Sequence, residues 1–434
     1  MSSYKLKKIL FKIYNLLPER ARRLILPIIE PFFLFAKRLL LIISQIQLSV
    51  TLFDGKEKLS GSNIKTLFFG GERIVPYIIN HLYSKEPKKE ILGKVFIWNT
   101  KSILQSDIAK PDIIFIGVDE FLLKFLSKNR FIVIPEWVLF TLDLSKPLLE
   151  VFKLSKNKSL GDDLRKVRKY EYHYKITHKQ SEFEYFYYQM YLPYIPKRFR
   201  KLTIPTSFQH MKMIFDKGYL IMIKQGDEDI SGMIVWTNNE KVFASYLGIR
   251  EGRMEYLKKG ALSAAYYFTI LWAKEKGYKQ LDLAHSRSFL NDGLFIYKKK
   301  WNTTIKRSKR LRGVLGMKII NPNQEVLNFL EENPFLFIYQ NKLNGLIISN
   351  RQHPLTINEV QSLFKNYYIP GISYTVIISP HGFTQKAINF ASSNPYLKLD
   401  LINMDKDIFF KKFPNILNKN THKFSINEND SEST

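Results

Sequence analysis

The chain has 434 residues, 45% hydrophobic and 14% aromatic. That is enough for about three domains with cores of their own, and it excludes general disorder. It contains no cysteine, which excludes disulfides, thiolate nucleophiles and Cys-ligated zinc or iron–sulfur centres and is compatible with a reducing cytosol. Sixty-seven Lys and Arg against 39 Asp and Glu leave a net charge of +28. A surplus of that size either favours polyanions such as nucleic acid, phosphorylated cofactors and anionic lipid, or reflects the Lys-, Ile- and Asn-rich usage of AT-rich coding sequence.

Residues 1–50 stand apart. Lys5, Lys7, Lys8, Lys12, Arg20, Arg22, Arg23, Lys37 and Arg38 face only Glu19 and Glu30. Charges interrupt the apolar runs well short of the roughly 20 residues a spanning helix needs, and no secretory cleavage pattern is present. Two readings stay open: basic amphipathic helices on an anionic membrane surface, or helices packed on the body of the protein. The expected location is the cytoplasm, peripheral on the inner face of the membrane under the first reading.

From residue 60 to 150 the pattern is that of a small Rossmann-like α/β domain with a largely parallel sheet. Ile64 to Phe69 reads as a strand ending in Gly70-Gly71, Glu72 to Tyr83 as a helix, and Lys94 to Trp98, Asp112 to Ile116 and Phe131 to Ile134 as buried strands. The glycine pair is read as a tight turn, because it lacks the full dinucleotide fingerprint and Glu72 would repel an anion.

A charged joint, Lys153 to Lys169, follows, with a helix start expected at Gly161-Asp162-Asp163. Phe183, Phe186, Tyr187 and Met190 have helical spacing, which predicts core packing. Tyr219 to Lys224, Ile230 to Thr237 and Lys241 to Gly248 read as three successive strands. A long helix, Lys259 to Lys276, comes next with Gly277 at its C′ position, then a strand from Gln280 to Ala284.

The stretch YLKKGALSAAYYFTILWAKEKGYKQLDLAHSRSFLNDGLFIYKKKWN, Tyr256 to Asn302, resembles the GNAT superfamily, in the branch of the Fem-type (FemAB-like) peptidoglycan aminoacyltransferases and the CelD-like acyltransferases. The resemblance rests on the Gly-Ala opening of the helix, Trp-Ala-x-x-x-Gly at its end, the Leu-Asp-Leu strand and Gly-Leu-x-x-Tyr-Lys-x-x-Trp-Asn. DDLRKVRKY (Asp162 to Tyr170) and FYYQMYLPYI (Phe186 to Ile195) also look like that branch, so coverage runs from about Asp162 to Gly316. It implies a GNAT-like mixed sheet flanked by helices over 155–320 and an N-acyltransferase that moves an acyl or aminoacyl group from a carrier to an amine acceptor.

The departure lies at the donor loop. GNAT enzymes carry Arg/Gln-x-x-Gly-x-Gly/Ala there, whereas this chain has only Lys258-Lys259-Gly260-Ala261. These four residues are the candidates for binding the donor pyrophosphate, through backbone approach at Gly260, lysine charge and a helix N-terminus. Fem-type enzymes usually carry two tandem GNAT units and one is legible here, so acyl-CoA or an acyl carrier protein is expected as donor ahead of aminoacyl-tRNA. No metal is expected.

Asp282, His285 and Ser286 close the strand whose end the resemblance places at the splayed donor cleft. His285 is the first choice for a base, since its ordinary pKa is nearest neutrality. Lys298 matches the lysine of the Fem-type Gly-Leu-x-x-Phe/Tyr-Lys motif, which implies a role near substrate or transition-state charge. An ordinary surface lysine and a structural histidine are the competing readings. Gly293 to Gly316 also carries eight basic residues and no acid, suited to phosphates of tRNA, nucleotide or lipid. No DNA-reading signature accompanies them, so sequence-specific DNA binding is not expected.

After Asn321 a strand–helix–strand–helix–strand order predicts a small α/β domain over 335–412, followed by a polar tail, 421–434. Gly371 to Ala391 resembles the tail of Mrr-like endonuclease domains, without the acidic metal constellation that nuclease chemistry needs. The alternative to an acyltransferase is a non-catalytic basic protein, binding a membrane surface or polyanion on a decayed transferase fold.

Overall fold

The protein is described from a computed structural model that covers residues 35–36, 38–99, 110–123, 131–152, 158–199, 205–394 and 399–403. The expected N-terminal helices up to residue 34 and the polar tail 421–434 lie outside the described residues. The strands are β1 (Gln47–Lys56), β2 (Asn63–Gly70), β3 (Lys88–Phe96), β4 (Ile113–Asp119), β5 (Ile132–Pro135), β6 (Val138–Asp143), β7 (His173–Thr177), β8 (Gly218–Gln225), β9 (Glu228–Asn238), β10 (Lys241–Ile249), β11 (Gln280–Ser286), β12 (Thr304–Arg307), β13 (Gly313–Ile319), β14 (Phe335–Tyr339), β15 (Lys342–Ile348), β16 (Thr375–Ser379) and β17 (Leu399–Asn403). They form three sheets within two compact units. The fold is of the mixed α/β class that the sequence predicts.

The first unit holds the chain up to Ile134 together with Arg312–Phe329. Its sheet has the order β3-β1-β2-β4-β13-β5. The expected largely parallel pairing is not found. β1 runs antiparallel to both β2 and β3, and β13 antiparallel to β4, leaving β2 and β4 as a parallel pair. Two things hidden from a local reading cause this: the β1–β2 hairpin at Gly61, with φ +70°, and the arrival of β13 from far along the chain. β1 also begins at Gln47, so the strand starts before the Val50 limit expected for the N-terminal helices. Gly70 and Gly71, both with positive φ, make the tight turn into helix α1 (Val75–Leu82), and a Cβ on Gly117 would lie 2.3 Å from the Gly71 Cα. The pair is used for backbone approach, as expected of a turn.

The second unit holds Pro135–Leu311 and Leu330–Asn403. Its larger sheet has the order β12-β6-β11-β10-β9-β8-β7. β6 falls inside the expected 60–150 domain and β13 inside the expected 155–320 domain, so the sheets do not follow those sequence limits. Strand partners are chosen by hydrogen bonding between distant segments, which local pattern does not report. Strands β7 to β10 are an antiparallel meander. Helix α3 (Ala261–Glu275) then carries the chain to β11, which lies parallel to β10. Gly277, φ +79°, ends α3 at the expected position, with Tyr278 N donating to Ala273 O.

Helix α2 begins at Lys158 rather than at Gly161 and buries Leu160, Leu164 and Val167 as it runs to Lys169. The aromatic stretch packs as its spacing predicts. Phe183, Phe186 and Met190 are fully buried and Tyr187 nearly so, each such side chain contributing roughly 1.5–3 kcal/mol of burial. Phe186–Tyr191 is wound as a π-helix, pressed against β10 so tightly that a Cβ on Gly248 would lie 2.8 Å from the Met190 Cβ.

The smaller sheet of this unit has the order β14-β15-β16-β17, with β15, β16 and β17 parallel. Helices α5 (Ile357–Tyr367) and α6 (Gln385–Ser393) bury Val360, Ala387 and Ala391 against it. The predicted strand and helix order of this segment is found, with β14 in addition.

Candidate active site

The site is built where β10 and β11 part. Their ladder runs over three pairs, ending at Phe243 opposite Asp282. β10 then shifts register against β9 between Ala244 and Tyr246, and β11 shifts against β6 between Asp282 and His285. Ala284 takes φ +59° to make the second irregularity, and the Asp282 carboxylate holds it by accepting from Ala284 N at 2.8 Å. Beyond the last pair β10 continues on β9 and β11 on β6 without pairing to each other, which defines a wedge between the two strand ends.

Helix α4 (Gly293–Lys299) supports the end of β11. Asp292 caps it, its Oδ1 accepting from Leu294 N at 2.9 Å and Phe295 N at 3.0 Å, and also from the Ser286 hydroxyl at 3.2 Å. Phe295 anchors the helix in the core, edge-on to Phe140 of β6 at 5.0 Å between centroids. Lys298, one turn on, is therefore aimed inward. It is 3% exposed; its Nζ donates to His285 O at 2.8 Å and lies 5.6 Å from the Phe140 ring centre.

The electrostatics follow from that burial. Desolvation pushes Lys298 down from 10.5 to about 7, with Asp282 and Asp292 opposing the fall. His285 is lowered from 6.5 to about 4, by burial first and then by Lys298 and Arg310. Burial raises the Asp282 carboxyl despite its bond from Ala284 N and the nearby cations. His285 Nε2 is 2.9 Å from the Ser308 hydroxyl, which also accepts from Leu311 N at 2.9 Å. That ties the exposed basic loop after β12 to the strand end.

Asp282, His285, Ser286 and Lys298 are thus brought together. Lys258, Lys259, Gly260 and Ala261 sit at the start of α3. Gly260 adopts φ +92°, and a Cβ there would lie 3.1 Å from the Lys166 Cβ of α2. Gly260 and Ala261 are buried and Lys258 is exposed, while Tyr172 OH donates to Lys259 O at 3.3 Å. An anion at this turn would meet lysine side chains, with the glycine and alanine backbone underneath. The turn is coupled to α4 by the Ser263 and Tyr297 hydroxyls, 3.0 Å apart.

Lys299 and Lys300 are also partly buried. Lys299 is pushed down to about 8 by burial and donates to Asn366 O; Lys300 pairs with Asp163. Asp292 and Ser308 were not among the residues singled out from sequence. An Asp immediately before a Gly-Leu helix start is a capping signal that could have found the first, whereas nothing local marks Ser308. Among the described residues no group of three or more His, Cys, Asp or Glu could hold a metal ion.

The meander, the returning helix and the parallel β10–β11 pair follow the element order that the sequence motifs implied. No protein-family model matches the chain, and no curated protein matches it. Among solved structures, the chain is similar to L-PGS from Bacillus licheniformis (10% identity, TM-score 0.32, covering 63% of this chain and 85% of that one). It is likewise similar to FemX (13% identity, TM-score 0.32, covering 62% and 84%). A GCN5-related N-acetyltransferase from Sphaerobacter thermophilus shows 10% identity and a TM-score of 0.26 over 60% of this chain and 74% of that one.

Proposed function

We propose that the second unit is an acyltransferase of the GNAT kind, moving an acyl or aminoacyl group from a carrier, with acyl-CoA the first candidate, to an amine. The observation that carries this reading is a buried lysine, brought near neutrality, beside the end of a parted parallel strand pair. A lysine held at about 7 is half neutral at physiological pH, which suits a group that must take a proton and give it up again.

In this reading the acceptor amine attacks the donor carbonyl in the wedge. The C–N bond forms, the carbonyl carbon's bond to the carrier sulfur or oxygen breaks, and the amine's surplus proton passes to neutral Lys298. The leaving thiolate or alkoxide is protonated in turn. Backbone groups of β10 past Phe243, off the β11 ladder, supply donors for the developing oxyanion. His285, at about 4, binds a proton too weakly to serve as the base first expected of it, and acts instead as a neutral partner of Ser308 that shapes the end of β11. Ser286 and Asp282 hold α4 and the bulge in place. Lys258 and Lys259 supply charge for the carrier's phosphates.

The test is transfer itself. Purified protein is incubated with labelled acyl-CoAs and aminoacyl-tRNAs over a panel of amines. Transfer that disappears in Lys298→Met supports the reading, and absence of transfer from every donor overturns it.

A further inference from the structure

The edge of the first unit's sheet is not covered as an edge usually is. Eight of the nine β3 residues are exposed. Ile91 is 69% exposed and Trp98, just past the strand, 64%. Phe96 is exposed as well, and its ring stacks on that of Trp98 with centroids 5.1 Å apart and planes within 7°. Apolar surface of this kind marks a contact site.

The patch extends beyond β3. Phe96 is opposite Gln47 on β1, and Ile97 N donates to Ile46 O at 2.9 Å. This brings the helical turn over 38–44, immediately before β1, to the same end of the sheet, where it exposes Leu40 and Ile43.

Charge and backbone geometry say what the patch fits. β3 carries Lys88, Lys89 and Lys94 against Glu90. A second strand is a poor occupant. The register skips Leu92 between the Val50–Gly93 and Thr51–Ile91 pairs, and Gly93 takes φ +120°. Such a bulge, with lysines along the edge, hinders strand addition. Aromatic rings interleaved with lysines have the composition of a membrane interface.

We infer that this end of the sheet docks on an anionic lipid bilayer. Ile43, Ile91, Phe96 and Trp98 enter the boundary between headgroups and acyl chains, and the β3 lysines sit among lipid phosphates. The inference is independent of the acyltransferase reading. It needs no spanning segment; among the described residues no helix is long and apolar enough to cross a membrane.

The experiment uses the full chain with vesicles of phosphatidylcholine, or of phosphatidylcholine mixed with phosphatidylglycerol. Sedimentation with the anionic vesicles should exceed that with the neutral ones and fall with added salt. Trp98 emission, isolated by difference from Trp98→Phe, should shift to the blue on binding. Phe96→Ala/Trp98→Ala should lower partitioning roughly fivefold or more, with an unchanged circular dichroism spectrum and melting temperature. Three results would overturn the inference: unchanged partitioning of that double variant, a Trp98 already shielded from acrylamide in the free protein, or a dimer that the double variant dissociates. The first would place any lipid binding elsewhere, the second would mean that the chain covers its own patch, and the third that a second copy does.

Discussion

Lys298 Nζ donates to the main-chain oxygen of His285 at 2.8 Å, while its charge, after burial itself, helps push the His285 ring down to about 4. The lysine is therefore fastened to the backbone of a residue whose side chain is kept neutral by burial first and by the lysine's charge second. Both consequences are set at the Ala284 bulge, past which β11 keeps its pairing to β6 but no longer pairs with β10.

Activity should depend on the neutral form of Lys298. The rate at low substrate is expected to rise with pH through about 7 and then level. Lys298→Met should lose roughly 10²-fold or more without loss of thermal stability, since it removes a buried charge from a site of similar volume. Lys306→Ala, exposed and equally basic, should have a small, salt-sensitive effect. Equal losses at the two positions would mean that net charge matters and a specific site there does not.

Asp292 favours the charged form of Lys298. Asp292→Asn keeps a capping oxygen but removes that support, so the pH–rate profile should move to lower pH while the melting temperature changes little. Asp292→Ala should also cost about 1 kcal/mol as a lost cap. A profile that stays in place in the Asn variant would detach Asp292 from the titrating group.

His285 has a folded pKa of about 4 against an ordinary 6.5, so between those values the unfolded chain binds more protons. Its contribution to stability is present above about pH 6.5 and is lost as pH falls to about 4, on the order of 3 kcal/mol in all. Urea unfolding from pH 4 to 7 should show this slope, and His285→Gln should flatten it. Lys298 acts in a higher window: its folded pKa of about 7 lies below 10.5, so stability should rise between those pH values and Lys298→Met should remove that rise.

Gly260→Ala meets both a left-handed backbone, φ +92°, and the Lys166 side chain. It should lower stability by about 1–2 kcal/mol. Lys258→Ala should instead weaken a phosphate-bearing donor, raising KM with kcat nearly unchanged. A Lys258 variant with unaltered KM for acyl-CoA would remove that turn from donor binding.

Much was legible from order and spacing. The β8 to β10 meander, α3 with its Gly277 stop, β11 and the C-terminal elements follow from apolar periodicity and turn residues, because these report local conformation directly. The burial of Phe183, Phe186 and Met190 follows from the same period. Asp282, His285 and Ser286 could be singled out from sequence as the end of a strand, and Lys298 as the lysine of the Gly-Leu-x-x-Tyr-Lys pattern.

Pairing and proton affinity were decided by tertiary structure. That β13 joins β4, and β6 joins β11, depends on hydrogen bonds between segments far apart in the chain, which no local pattern encodes. His285 looked like the base because its ordinary pKa is near neutrality, and Lys298 could equally have been a solvated lysine. Burial changed which of the two lies near neutrality, lowering the imidazole to about 4 and the amine to about 7. A sequence names the ionisable groups; how much water each loses, and which charges it faces, exist only once the chain is folded.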